Sequence, residues 1–268
     1  MLKIVGILNV TKDSFSDGGD YYETVDAIKH AKTLRDAGAS IVEIGPASSN
    51  PDATEVTEQE ELDRCRPVIL QLRSLGIPFG IDSFRSGTQL YGIEQEASML
   101  NDIHGFENPS IYPALAKSKA KLVVMHSIHR NSMVTREEYS IQQVADSVEG
   151  FFNQRLDSLL SAGISKDRII IDPGMGFFLS SNPNTSFYML QKLTELQSNF
   201  GCEVLISVSR KSFLRACAAV STEESAPATL AAELYAAQRG VDYIRTHDVK
   251  ALSTALKVDS ALRGEYQA

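Results

Sequence analysis

The chain has 268 residues, of which 43% are hydrophobic and 22% charged, and its formal net charge is −8. This length is typical of one folded domain, and the composition is ordinary for a globular protein. The acidic balance argues against general binding to nucleic acids or anionic membranes, which needs a basic face, and no run approaches the ~20 apolar residues of a membrane span.

Eight short apolar runs are separated by segments long enough to form helices. Continuous apolar runs of this kind are typical of buried parallel strands. Eight such strands alternating with helices predict a single-domain (β/α)8 TIM barrel over residues 1–268, an α/β fold whose active site lies at the carboxyl ends of the strands. In chain order the runs are residues 4–8, 41–42, 77–81, 98–100, 122–125, 169–171, 204–208 and 241–244.

Nearly every run is followed by a polar side chain that can bind a ligand or take part in chemistry. Because the parallel strands of a barrel end at the same mouth, we expect these side chains to form a ring there. In chain order they are Asn9, Glu43, Asp82, Asn101, Asp102, His126, Asp172, Ser209, Arg210, Lys211, Arg245 and His247.

Three loops after predicted strands are longer and more polar than a simple connection needs. They span residues 11–19, 46–54 and 126–135. Loops at the strand ends of a barrel are where working residues are usually placed, so each of these segments is expected to border the site.

The predicted helices have recognisable boundaries. Thr57 and Glu60 form a T-x-x-E capping box, Gly76 fits the end of that helix, and Pro67 is expected to kink or divide it. The longest helix is predicted over residues 140–162. Its buried stripe is predicted to be Val144, Val148, Phe152, Leu156 and Leu160.

Three polar strand ends suit the edge of a flat heterocycle. Asp172 follows three isoleucines, and a buried carboxylate is costly unless donors satisfy it. A ligand with adjacent N–H and NH2 groups, such as a 2-aminopyrimidinone, would satisfy both oxygens, and Asp82 and Asn101 would bind neighbouring atoms. The alternative is a structural hydrogen-bond network beneath the loops.

The segment after Asp172 combines two glycines with two aromatic residues. Gly174 and Gly176 allow the backbone to approach a ligand closely. Phe177 and Phe178 either stack on that ligand or pack under their own loop. Elsewhere, His126 and His129 make a transition-metal site a minor alternative, because no carboxylate lies clearly at ligand spacing.

Three basic side chains follow the last two runs. Lys211, Arg245 and His247 are expected to converge because strands seven and eight are neighbours in a barrel, in the region where many barrels bind phosphate. Arginine offers a planar fork and lysine a mobile point charge. An anionic substrate is therefore expected, and the alternative is that each basic residue pairs with a nearby carboxylate.

Six segments resemble, in order, the motifs of the dihydropteroate synthases. The resemblance covers almost the whole chain, and each segment lies at a predicted strand end. One such motif could arise by chance, but six in order are specific. They are residues 6–19, 81–84, 100–102, 171–177, 209–212 and 245–248.

The resemblance implies a barrel, usually a homodimer, that joins 4-aminobenzoate to 6-hydroxymethyl-7,8-dihydropterin pyrophosphate. Pyrophosphate is released with the help of Mg2+, for which Asn9 is the implied protein ligand. The implied catalytic residues are Asp13, Asp82, Lys211, Arg245 and His247. Asp13, on the first loop, would close over the site.

The same resemblance implies three substrate subsites. The pterin would be bound by Asp82, Asn101, Asp172 and Lys211. The pyrophosphate would be bound by Asn9, Ser49, Arg245 and His247. The 4-aminobenzoate would be bound by Phe177, Phe178, Lys211 and Ser212.

Two departures from the family pattern resemble its sulfonamide-resistant branch. The family typically reads G-G-E-S-T-R-P-G where residues 45–52 read G-P-A-S-S-N-P-D, so that Asn50 replaces an arginine. It usually reads G-F-G-K where residues 176–179 read G-F-F-L. The bulk of Phe177 and Phe178 is expected to narrow the aminobenzoate subsite and exclude sulfonamides by steric clash.

Two other functions are compatible with parts of this pattern. A pterin-binding methyltransferase would share the residues that bind the pterin edge, and a catalytically silent pterin-binding protein would keep Asp172 and Asn101. Lys211 with Ser212, Arg245 and His247 favours the synthase over the first alternative, and Lys211 with Asp13 favours it over the second.

The cysteines and the first residues bear on location. Cys65, Cys202 and Cys217 are odd in number and form no C-x-x-C pair, which predicts reduced thiols in the cytoplasm. The first residues lack the apolar stretch of a signal peptide. The expected partners are the two small-molecule substrates and a second copy of the chain, with no nucleic acid or membrane.

Overall fold

The structure is a computed structural model that describes residues 2–11, 19–47, 55–129 and 136–264, apart from the side chains of residues 19–23. Asp13, Ser49 and Asn50 lie outside the described residues, as do most of the three polar loops.

Within the described ranges, eight parallel strands close into a barrel in chain order, with β1 beside β8. The predicted (β/α)8 fold is therefore confirmed. The strands are β1 (Lys3–Asn9), β2 (Ile41–Gly45), β3 (Phe79–Asp82), β4 (Met99–Asp102), β5 (Lys121–Met125), β6 (Ile169–Asp172), β7 (Glu203–Ile206) and β8 (Tyr243–Thr246).

Helices cover the outside of the barrel. Strand side chains that point outward join the helices in the main hydrophobic core. In the described part of the chain these helices are α1 (Gly19–Asp36), α2 (Glu58–Ser74), α3 (Ser86–Glu94), α4 (Tyr112–Lys117), α5 (Ile141–Ser161), α6 (Pro183–Gln191), α7 (Leu193–Phe200), α8 (Ser212–Ala218), α9 (Ala226–Gln238) and α10 (Val249–Leu262).

The inside of the barrel is filled in layers. Because side chains alternate along a strand, the residues two positions beyond the members of an apolar inner layer also point inward. On four strands these next residues are Glu43, Asn101, Asp172 and Arg245. A polar layer therefore lies directly above the apolar one, toward the mouth. The apolar layer consists of Val5, Ile41, Met99, Val123, Ile170, Leu205 and Tyr243.

The start of α2 forms as the sequence predicts, but Pro67 acts differently. The Thr57 side chain accepts from the backbone N–H of Glu60, and the Glu60 carboxylate accepts from the backbone N–H of Thr57. The expected division at Pro67 was wrong, because α2 runs without a break from Glu58 to Ser74. Proline deprives the carbonyl four residues earlier of its partner, and since both Pro67 and Asp63 are exposed, water can solvate that carbonyl.

The predicted boundaries of α5 are confirmed, with Ser140 as N-cap and Ala162 as C-cap. The first four members of its predicted stripe are buried, but Leu160 is 39% exposed and Leu159 is fully buried in its place. Positions four apart advance about 400° around a helix with 3.6 residues per turn. A strict i, i+4 stripe therefore drifts by about 40° per step and leaves the buried face.

The cysteines form no disulfide bond, and Cys65 and Cys202 are buried whereas Cys217 is exposed. Burial raises the pKa values of Cys65 and Cys202 above the usual range. No described helix combines the length and the apolar character needed to cross a membrane.

Candidate active site

Arg245 lies at the centre of the polar layer and is held by two carboxylates. Its Nε forms an ion pair with Glu43, and its Nη2 lies 2.7 Å from Asp82 Oδ2. Glu43 is fully buried, whereas the side chains of Arg245 and Asp82 are 17% and 21% exposed. The alternative that the basic residues pair with carboxylates is therefore correct for Arg245, and this pairing fixes the plane of the guanidinium.

Burial raises the pKa of Glu43 to about 7, and Arg245 only partly offsets this effect. Burial lowers the pKa of Arg245, but attraction to Glu43 and Asp82 outweighs it, so the net pKa is raised and the guanidinium stays charged. The sequence placed Glu43 at the mouth but did not predict its pairing with Arg245. The sequence signal for such a pair is a carboxylate within a buried strand, where a charge is costly unless it is paired.

Asn101 presents an acceptor that has no partner. Its Nδ2 donates to Glu43 Oε1 at 3.2 Å, and the side chain is buried. Among the described residues, nothing donates to the buried Oδ1 atom. Buried amide oxygens are normally hydrogen-bonded, so this atom needs a donor from a ligand or from water.

Asp172 is fully enclosed beside its loop. Its Oδ1 accepts from the backbone N–H of Gly174 at 2.8 Å. Burial raises the pKa of Asp172 to about 6, although the Gly174 amide and the positive charge of Lys211 favour the ionised form. Gly174 has φ +75°, and a Cβ there would lie 2.4 Å from the carbonyl oxygen of His126. Only glycine fits this close approach without a shift of the backbone.

Asp102 does not join this layer, although the sequence placed it at the mouth. It follows Asn101 directly, so its side chain points to the other face of the strand. There it accepts from Gln89 Nε2 at 2.8 Å and from the backbone N–H of His104 at 2.7 Å. These contacts give Asp102 a structural role.

Lys211 lies over an aromatic ring. Its Nζ is 4.6 Å from the ring centroid of Phe178, a cation–π distance. Burial and then repulsion from Arg245 lower the pKa of Lys211 to about 8, while Asp172 and Asp82 act in the opposite direction. The ammonium therefore loses its proton within a range accessible to an enzyme.

The two aromatic residues after Asp172 differ in environment. Both belong to a short 3-10 helix, Gly176–Phe178. Phe178 is 5% exposed and packs with Met125, whereas Phe177 is only half-buried. Phe178 is therefore packed inside the protein, whereas Phe177 leaves part of its ring accessible. Stacking of either ring on a ligand stays a prediction.

His247 forms a hydrogen bond with Ser209, whose Oγ is 2.9 Å from Nδ1. Burial, reinforced by the positive charges of Arg210, Arg245 and Lys211, lowers the pKa of His247 to about 3. The imidazole is therefore neutral near pH 7 and offers hydrogen bonding rather than positive charge.

Asn9 and Ser212 occupy two other edges of the mouth. Asn9 is exposed at the end of β1, and its Oδ1 lies 3.1 Å from where a Cβ on Gly45 would be. Ser212 is half-buried and is the first residue of α8.

His126 is part of the scaffold rather than of the polar layer. It is buried, with Nδ1 3.1 Å from the Pro173 carbonyl oxygen and Nε2 3.0 Å from Ser147 Oγ. Within the ranges that the structure describes, no three His, Cys, Asp or Glu side chains are grouped as metal ligands.

Comparison with known proteins gives consistent matches. The family model described as pterin binding enzyme matches residues 5–247. The type-3 dihydropteroate synthase of Escherichia coli is 49% identical over 98% of this chain and 100% of its own.

Solved structures agree with the sequence matches. A dihydropteroate synthase from Clostridium difficile, determined in the presence of pteroic acid, superposes with a TM-score of 0.88 at 31% identity, covering 97% of this chain and 96% of its own. The enzyme from Xanthomonas albilineans with 4-aminobenzoic acid also gives 0.88, at 33% identity, covering 98% of this chain and 93% of its own.

Proposed function

The chain belongs to the pterin-binding enzymes and, within them, to the dihydropteroate synthases, and from this premise we propose how its residues carry out the reaction. The enzyme is a transferase of folate biosynthesis that joins 4-aminobenzoate to 6-hydroxymethyl-7,8-dihydropterin pyrophosphate and releases pyrophosphate. The synthase prediction is therefore confirmed over the methyltransferase and the silent binder.

The unpartnered acceptor of Asn101 is the observation that best supports the pterin subsite. The aminopyrimidinone edge of a pterin carries N–H and NH2 donors side by side. Asp172, with one oxygen bonded to Gly174, accepts from these donors, and Asn101 Oδ1 accepts from another ring nitrogen. Asp82 lies beside Asn101 in the strand register and faces the same ring.

Bond cleavage is driven by charge separation. The electron-rich pterin pushes electron density toward its exocyclic CH2 group, the C–O bond to pyrophosphate breaks, and the electron pair leaves with the pyrophosphate. Asp82 stabilises the positive charge that develops on the pterin. Arg245 stabilises the charge that grows on the leaving group, and neutral His247 adds a hydrogen bond. Cations already held in place stabilise such a transition state without reorganising.

The second half of the reaction forms the new C–N bond. The neutral amine of 4-aminobenzoate attacks the CH2 carbon and then loses a proton to solvent. Lys211 and Ser212 bind the aminobenzoate, with Phe177 and Phe178 forming one wall. No covalent bond to the protein is required at any stage.

Mg2+ is the proposed cofactor, and among the described residues the amide oxygen of Asn9 is the group at the mouth that suits it. Mg2+ prefers oxygen ligands and often binds through very few protein groups plus substrate phosphates. Asn9 places an exposed amide at the mouth, next to Gly45, and its oxygen would be the protein ligand. When bound, the ion would neutralise charge on the pyrophosphate. Asp13 and Ser49 are proposed to complete the site from their loops.

The direct test of this mechanism is pyrophosphate release by the purified protein. With dihydropterin pyrophosphate and Mg2+, release should depend on 4-aminobenzoate. An Asp172→Asn variant should lower kcat/KM by at least about a hundredfold, because an amide presents one acceptor and one clashing donor to the pterin edge. The same substitution at exposed Asp63 should change nothing. Equal activity of both variants would refute the pterin assignment.

We also propose that this enzyme is resistant to sulfonamides. The support is the resemblance of the segment at residues 176–179 to the resistant branch, together with the half-buried ring of Phe177 and the buried ring of Phe178 beneath Lys211. A narrowed subsite admits a flat carboxylate and rejects the bulkier sulfonamide.

Phe177→Gly and Phe178→Gly test this proposal. Opening the subsite should lower the inhibition constant of a sulfonamide about a hundredfold, equivalent to about 2.8 kcal/mol. The KM for 4-aminobenzoate should change much less. Phe178→Gly also removes packing against Met125, so Phe177→Gly is the variant that better preserves the fold. Unchanged inhibition in both folded variants would disprove the steric mechanism.

Cytoplasmic location and a homodimer are proposed as well. The first is supported by three unpaired cysteines and the second by the family resemblance. Light scattering on the purified protein should give a mass near twice 29.3 kDa, and a value near 29.3 kDa would exclude a stable dimer.

A further inference from the structure

A cavity of about 280 Å³ lies outside the barrel wall, between the loop after β7 and the N-terminal ends of α9 and α10. Its volume is near the lower end for small-molecule sites. None of the proposed pterin residues lines it. Six of the residues that do are Ser209, Arg210, Thr229, Leu230, Glu233 and Asp248.

Glu233 contributes an acceptor with no donor. The residue is 1% exposed, and among the described residues no group donates to its Oε1. The carboxyl group also shares a hydrogen bond with Thr246, and burial raises its pKa to about 7. A buried carboxyl oxygen without a partner is unfavourable, so an N–H donor in the cavity would be stabilised here.

Arg210 contributes a donor. Its side chain is exposed, and within the described ranges the guanidinium forms no ion pair. The backbone at Arg210 has φ +60°, and its N–H donates to Thr229 Oγ1 at 3.1 Å. This bond ties the loop to α9 and keeps Arg210 at the cavity.

The start of α9 also favours a negative group. Ser225 precedes the helix but donates its hydroxyl to the carbonyl of Thr222 at 2.6 Å instead of capping the first turn. Ala226, the first residue of α9, lines the cavity together with Glu223 just before the helix. The positive end of the helix therefore offsets the negative charge of Glu223 there.

Other occupants fit less well. Asp248 lines the cavity, but its Oδ1 already accepts from the backbone N–H of Ala251. Among the described residues, no group of three acidic or imidazole ligands is assembled here. Leu230 adds an apolar residue to the lining of the cavity.

We propose that this cavity is a second binding site, for a small molecule that carries an amino group and a carboxylate on an apolar body. The amino group donates to Glu233 Oε1, and the carboxylate pairs with Arg210 near the start of α9. The inference rests on the proposed function only in the choice of probe, because 4-aminobenzoate is one molecule of this class.

The cavity is connected to the mouth through His247. Ser209 lines the cavity and also bonds to His247 Nδ1, and Thr246, which shares a hydrogen bond with Glu233, directly precedes His247. Occupancy of the cavity should therefore shift the NMR signals of the His247 imidazole, even when the mouth is filled.

The test is equilibrium dialysis of labelled 4-aminobenzoate against the full chain saturated with pteroate, which fills the pterin and aminobenzoate subsites together. One further equivalent should bind per chain. Arg210→Gln and Glu233→Met should each weaken this binding at least tenfold, and benzoate, which lacks the amine, should compete poorly. Arg66→Gln, at an exposed residue of α2 that does not line the cavity, is the matched control and should leave the additional binding intact.

Three results would be decisive. Absence of binding in the presence of pteroate would overturn the proposal, and so would binding that neither variant weakens. Arg210→Gln keeps the test valid if Glu233→Met does not fold, because Arg210 is exposed. A chain that does not bind pteroate but binds 4-aminobenzoate through Arg210 and Glu233 would contradict the proposed function and leave this site standing.

Discussion

Single residues in the polar layer show what a sequence can and cannot reveal. Asp172 and Asn101 could be predicted because each ends an apolar run and points to a shared mouth. The ion pair of Glu43 could not be predicted because its partner, Arg245, is 202 residues away in the chain. Such an ion pair appears only once the barrel closes.

The pKa values of Asp172 and Lys211 predict a bell-shaped pH profile. In the proposed mechanism Asp172 must be ionised to accept two donors, and Lys211 must be charged. Their pKa values are about 6 and about 8. Measured as kcat/KM, which reports groups of the free enzyme, activity should fall below pH 6 and above pH 8. Lys211→Arg should shift the alkaline fall of kcat/KM to higher pH. If this fall does not shift, it reports the titration of another group.

Gly174 is predicted to be indispensable for both stability and pterin binding. Gly174→Ala combines a left-handed backbone with a clash against His126. Gly163 has φ +82° with nothing within 4 Å, so Gly163→Ala isolates the backbone cost of about 1–2 kcal/mol. Urea denaturation should show about 1–3 kcal/mol more loss for Gly174→Ala. Equal losses would mean that the segment relaxes without cost.

Among the helices, the capping signals were reliable, whereas the division expected at a proline and a stripe drawn with a fixed four-residue step were not. The capping residues Thr57 and Ser140 begin helices as predicted. Leu160 was assigned to the wrong face because a fixed four-residue step ignores the drift of a 3.6-residue turn. Pro67 showed that a helix tolerates proline where the freed carbonyl faces water.

The cap of α5 gives a prediction with a control in the same helix. Ser140→Ala removes the acceptor for the backbone N–H of Gln143 and should lower the free energy of unfolding by about 1 kcal/mol. Ser158 lies inside the helix and donates to the Gln154 carbonyl, so Ser158→Ala should be neutral or slightly stabilising. A lower thermal unfolding temperature of Ser140→Ala, with unchanged kcat, would confirm this prediction. Equal effects of the two substitutions would show that the cap stabilises the helix no more than an interior serine does.

In the barrel as a whole, the residues that fill the core and the residues that form the active site lie in different layers along the barrel axis. The apolar inner layer fills the lower part, and the charged pair of Glu43 and Arg245 lies one layer above it. Buried ion pairs often add little net stability, so this pair is better explained by the need to hold a cation at the mouth.

A double variant tests that explanation. Arg245→Met leaves Glu43 buried and unpaired, which should cost about 3–5 kcal/mol at pH 8. Because Arg245 lowers the pKa of Glu43, its removal raises that pKa further above about 7. The loss relative to the unchanged protein should therefore shrink as the pH falls toward about 7 and stay constant below it. Adding Glu43→Gln should recover much of the stability at pH 8 without restoring turnover. A double variant no more stable than Arg245→Met would show that the pair itself stabilises the barrel.

The closure of the strand ring also has a topological consequence. β1 lies between β2 and β8 as every other strand lies between its neighbours, and α10 packs against β1. The end of α10 lies on the same face of the barrel as the start of β1. The order of the strands in the chain therefore follows a closed ring, and the ring can form whichever strand comes first in the chain. A circular permutant opened at Gly163, on the face away from the mouth, with residues 2 and 264 joined by a flexible linker, should build the same ring and the same active site.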